Sequence, residues 1–149
     1  MRIFRPHQRI DLKVGDIVIT VSPLTKEQKI ELAQMNTVEG GKVKIDHFKS
    51  TDAIIKRAVK QIKGVEYPDG TPIQLEEGGD LLSDEDAEIV WAVLDNLENS
   101  NDIVLALFKM MRGAMDFDIP GVEVEPQSEG LEVKKTPPSA SDSSGSPKK

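Results

Sequence analysis

LLSDEDAEIVWAVLDNLENSNDIVLALFKMMRGAM, residues 81–115, decides the fold class. Ser83 offers a side-chain oxygen to the free N–H groups of a first helical turn, and Asp84, Glu85 and Asp86 sit where the helix dipole favours negative charge. A helix starts there. Ile89, Val90, Val93, Leu94 and Leu97 then recur at helical spacing, with Glu88, Asp95 and Glu98 left for the other side. Trp91, the only tryptophan, lies beside this stripe and belongs mainly to a core. Asn99 to Asp102 break the pattern, and Asn101 or Asp102 caps a second helix, in which Ile103, Val104, Leu105, Ala106, Leu107, Phe108, Met110 and Met111 are apolar nearly all round.

Upstream of this helical pair the patterning is mixed. DIVITV, residues 16–21, is rich in β-branched residues between Gly15 and Ser22-Pro23, which reads as a strand. Thr25 with Gln28 forms a capping-box pattern for a helix through Asn36. Lys42 to Phe48 alternates with period two and reads as a strand after the Gly40-Gly41 turn. Ser50, Thr51 or Asp52 then caps a helix with the stripe Ile54, Ile55, Ala58, Val59 and Ile62, closed by Gly64. Val65–Tyr67 and Pro72–Leu75 flank Asp69-Gly70, a dipeptide suited to a tight hairpin turn.

The expected fold class is α+β: a mainly helical domain with a small N-terminal β element and a β-hairpin, followed by a disordered C-terminal tail. Residues 1–15, with Arg2, Arg5, Arg9 and Lys13, read as a basic arm or edge strand, residues 16–115 as a single domain, and residues 116–149 as an acidic and then Ser/Pro-rich flexible tail.

Composition narrows the function classes. A net charge of −7 argues against a general nucleic-acid binder, which clusters Lys and Arg against phosphates. With no cysteine there is neither a disulfide framework nor a thiolate metal site. No apolar run is longer than six residues, as in Ile103 to Phe108, against the roughly 20 that span a bilayer. The opening MRIFRPHQRIDLK is not followed by the apolar core of a signal peptide, so cytoplasmic residence is expected.

No catalytic constellation emerges. Glu76, Glu77, Asp80, Asp84, Glu85, Asp86 and Glu88 lack the register of a calcium loop and read as a helix N-terminus with an acidic linker. His7 and His47 have no companions at ligand spacing, and no phosphate-cradling glycine motif or nucleophile elbow occurs. The expectation is a protein that is not an enzyme, takes no cofactor or metal, and binds neither nucleic acid nor membrane. The second helix carries more apolar surface than one stripe buries, and methionines suit adaptable faces, so Ile103, Leu107, Phe108, Met110 and Met111 are the expected partner-binding residues.

Three stretches together, TVSPLTKEQKIEL, AIIKRAVKQIKGVEYPDGTPI and LLSDEDAEIVWAVLDNL, resemble the tail assembly chaperones of long-tailed (siphovirus-type) bacteriophages. The resemblance covers roughly residues 16–112 and lies in structural punctuation rather than in chemistry. It implies a non-enzymatic protein of the host cytoplasm that binds the tape measure protein and recruits tail tube subunits during tail morphogenesis, often with a longer frameshifted form. The basic segment at residues 1–13 has no counterpart in the family pattern. Other readings are a structural or regulatory adaptor of a virus or bacterium that self-associates through residues 101–115 into a homo-oligomer, and an acidic inhibitor that mimics nucleic acid. Lys and Arg interspersed along residues 42–63 weigh against the last.

Overall fold

The computed structural model describes residues 2–5, 7–35, 37–44, 46–76, 79–110, 112–115 and 118–127. Within them the chain is α+β, four helices against a four-stranded antiparallel sheet. The sheet is built from β1 (Ile10–Val14), β2 (Ile17–Val21), β5 (Val59–Lys63) and β6 (Glu123–Pro126), in the order β5-β2-β1-β6. A separate two-stranded ribbon joins β3 (Thr37–Glu39) to β4 (Lys42–Lys44).

The register of the sheet follows from its side-chain alternation. Ile10 and Leu12 on β1 lie opposite Val21 and Ile19 on β2, and all four are buried. On the other face Asp11 lies opposite Thr20, whose hydroxyl donates to the Asp11 carboxylate at 2.8 Å; the Gln127 amide donates to the same oxygen, also at 2.8 Å. Thr20 is buried, and this bond satisfies its hydroxyl.

The basic segment is therefore not an arm. β1 is an interior strand, and Phe4 is buried, with its N–H donated to the Gly113 carbonyl at 2.7 Å. At the other end the domain runs past residue 115. Ile119 is buried in the core, and β6 pairs Glu123, Val124, Glu125 and Pro126 with Lys13, Leu12, Asp11 and Ile10. Of the charges that suggested solvent at the two ends, Lys13 on β1 and Glu125 on β6 lie on one face of a strand pair, Lys13 Nζ meeting Glu125 Oε2 at 3.0 Å. The expected tail from residue 128 onward, with its low-complexity end, lies outside the described residues.

A second correction concerns residues 46–63. The helix α2 (His47–Ala58) starts earlier than expected because the Asp46 carboxylate caps it, accepting the N–H groups of Phe48 and Lys49. The helix stops at Ala58, where the chain becomes β5 instead of continuing to Gly64. Pairing with β2 sets Val21 opposite Val59 but Thr20 opposite Gln61, so Lys60 is the extra residue of a β-bulge. The bulge puts Val59 and Ile62, three residues apart, on one buried face. Their helical spacing therefore arises in a strand.

The remaining helices are α1 (Lys26–Gln34), α3 (Asp84–Asp95) and α4 (Ser100–Met110). α1 has the Thr25/Gln28 capping box yet buries none of its residues; it leans on α2, with Glu31 accepting from Arg57 Nε at 3.3 Å. α3 is capped by Ser83, whose Oγ accepts the Asp86 N–H. Its core stripe is Ala87, Val90, Val93 and Leu94. Trp91 is half-buried and donates its indole N–H to Asp52 on α2 at 2.8 Å. The Lys56 ammonium then bridges Asp52 and Asp84, at 3.3 and 2.6 Å, which fixes the start of α3 beside α2.

A candidate functional site in an apolar groove

Ile103, Leu107 and Met110, three of the residues assigned to a partner on α4, face inward, at 1, 2 and 1% exposed. Phe108 is half-buried against the same core, and Met111 lies outside the described residues. The surplus apolar surface of this helix joins a core that also contains Phe4 and Ile119, residues that the sequence pattern had left in an arm and a tail. α4 presents Leu105, 60% exposed, to solvent.

Apolar surface is instead open between the turn after β5 and the second face of α3. Gly64 holds φ +86°, and a Cβ at this position would overlap the carbonyl oxygen of Asp16. Glycine is therefore required where the chain leaves β5 against the β1–β2 turn. This close approach carries Val65 past Ile17. The chain then reverses: the Tyr67 N–H donates to Thr71 O at 2.9 Å, and the Ile73 N–H to Val65 O at 2.8 Å. Gly70 adopts φ +89°, and Asp69 Oδ1 accepts the Thr71 N–H at 2.9 Å. That bond, with one from the Thr71 hydroxyl, holds the Asp69 carboxyl below the usual carboxylate range. The expected hairpin is present as this turn, with a single bridge between Glu66 and Pro72.

The returning segment is fastened by two side chains. Gln61 acts as a surrogate strand partner for Leu75, its carbonyl accepting the Leu75 N–H at 3.2 Å and its amide reaching Leu75 O at 3.5 Å. The buried Asp86 carboxylate accepts the Glu76 N–H at 3.0 Å, tying the segment to the first turn of α3.

The result is a groove of about 370 Å³ lined by Ile17, Val65, Tyr67, Ile73, Ile89, Ala92, Val93, Asn96 and Leu97. None of these side chains is charged, and Asn96 and Tyr67 alone among them carry polar groups. Ile89, Ala92, Val93 and Asn96 fall on one face by their spacing of three and four, so α3 has two apolar faces: one in the core and one in the groove. The charged residues next in sequence to the lining are Asp16, Glu66, Glu88, Asp95 and Glu98; all five are exposed and none is basic. No Ser, Thr, Lys or His side chain is among the residues that line it.

Sequence reasoning placed Ile89, Val93 and Leu97 in a single core stripe with Val90 and Leu94. The available signal was the width of that stripe, too broad for one contact. A smaller polar depression of about 40 Å³, lined among others by Arg9, Lys56, Lys60, Glu76 and Asp80, lies near the end of α2. There burial, reinforced by Arg9, pushes the Lys60 ammonium below its ordinary pKa, and its Nζ donates to Arg57 O at 3.0 Å. Among the described residues no group of three or more His, Asp or Glu side chains is placed to hold a metal ion, and no helix is long and apolar enough to cross a membrane. No family model, curated protein or solved structure matches the chain.

Proposed function

We propose that this protein is a non-enzymatic tail assembly chaperone of a long-tailed bacteriophage, acting in the host cytoplasm by holding helical segments of the tape measure protein and bringing tail tube subunits to them. The observation that supports this reading best is the open apolar groove between the turn at residues 65–73 and α3. Such a surface gives non-directional affinity for the apolar stripe of a foreign helix. The resemblance of the segments that build it, residues 53–73 and 81–97, to that chaperone family supplies the partner. Co-expression with the tape measure protein of the same genome tests the reading: a soluble complex is expected, and a tape measure protein as insoluble with this chain as without it would sink the proposal.

A further inference from the structure

We infer that the occupant of the groove is a cationic amphipathic helix, about two turns of which lie along α3 with Lys or Arg flanking its apolar stripe. This rests on the reading of the groove as a partner site. Three features of the site select that chemistry. The lining runs along α3 from Ile89 to its C-cap Asn96, about 10 Å of helix axis, which matches roughly two turns of an opposing helix. The walls have few polar groups to offer. The Tyr67 N–H and the Val65 carbonyl are already engaged within the turn, and among the side chains only Asn96 and the Tyr67 hydroxyl are polar. An extended peptide would leave its own N–H and C=O groups unpaired against this surface, whereas a helix satisfies them internally. Finally, the exposed charges that helical spacing sets beside the groove face of α3 are acidic: Glu88 and Asp95 fall four residues before and three residues after Ala92. A neutral or acidic helix would meet these carboxylates without compensation, and a basic one would pair with them as its apolar side chains enter the groove.

The test uses the full chain and three synthetic helical peptides with the same leucine stripe and with Lys, Gln or Glu at the flanking positions, titrated calorimetrically. The Lys peptide is expected to bind about tenfold more tightly than the Gln peptide, the sum of several exposed ion pairs, and to weaken as salt is raised. The Glu peptide is expected not to bind. Because the chain carries a net charge of −7 and attracts cations generally, two variants locate the effect. Ala92→Trp fills the groove from an exposed helix position without changing charge and should abolish binding of the Lys peptide. Glu88→Lys/Asp95→Lys should transfer the preference to the Glu peptide. Equal binding of the Lys and Gln peptides, both lost in Ala92→Trp, would overturn the cationic occupant and leave the groove reading intact. Binding of the Lys peptide that Ala92→Trp does not change would overturn the site, and failure of every peptide to bind would overturn both.

Discussion

Gly64 is the residue on which the groove depends most directly. With φ +86° and no room for a Cβ beside Asp16 O, Gly64→Ala must both adopt a disfavoured backbone and displace the β1–β2 turn. A loss of about 2 kcal/mol or more is expected, measured by urea unfolding. Asp84 makes a different contribution. The hydrogen bond from the Lys56 ammonium, and then its charge, hold the Asp84 carboxyl below the ordinary range. A carboxyl depressed on folding stabilises above its unfolded pKa, near pH 4, and the contribution is lost as pH falls through the lower folded value. Asp84→Asn should therefore be less stable than the parent at pH 7, with the gap closing below pH 4 in matched thermal melts. Asp84 is exposed, so the gap at neutral pH will be small.

Among the elements, α4 distinguishes a core helix from a docking helix. Leu107 is 2% exposed and Leu105 60% exposed. Leu107→Asp should leave no folded protein, because it buries an unpaired carboxylate, and Leu107→Ala should cost about 2–5 kcal/mol. Leu105→Asp should change stability by only about 0.5 kcal/mol, as at other exposed positions. Circular dichroism with urea titration separates the three. The same helix shows what the sequence could tell. Its existence, the Ser83 and Thr25 caps and the Asp69-Gly70 turn were legible, because each is written in residues within four positions of one another. The role of α4 was not, since it depends on Phe4 and Ile119 joining its core, one from about 100 positions away and the other from beyond the expected boundary. β5 was misread for a related reason: the bulge at Lys60 gives Val59 and Ile62 the spacing of a helix, and only the partner strand reveals it. The groove was half legible. Ile89, Val93 and Leu97 were identified as apolar, but which of two faces each serves is decided by the turn at residues 65–73.

At the scale of the whole molecule, the sheet is completed by residues far apart in the chain. β6 is a short edge strand whose sequence, EVEP, discourages further pairing through its charge and its proline. A chain ended after Gly121 loses β6 and opens the edge of β1. Compared with one ended after Gln127, it should melt at lower temperature and aggregate on standing, as followed by light scattering. The same closure governs how quickly the fold is reached. β1 is held on one side by β2, three residues beyond it, and on the other by β6, where Lys13 meets a partner 112 positions away. The ends of that long loop must come together before the pairing rewards the loss of chain entropy. Despite the four helices among the described residues, the protein should therefore refold in milliseconds to seconds, on the timescale of β-rich domains, with the native fluorescence of Trp91 returning only once β1 and β6 have met.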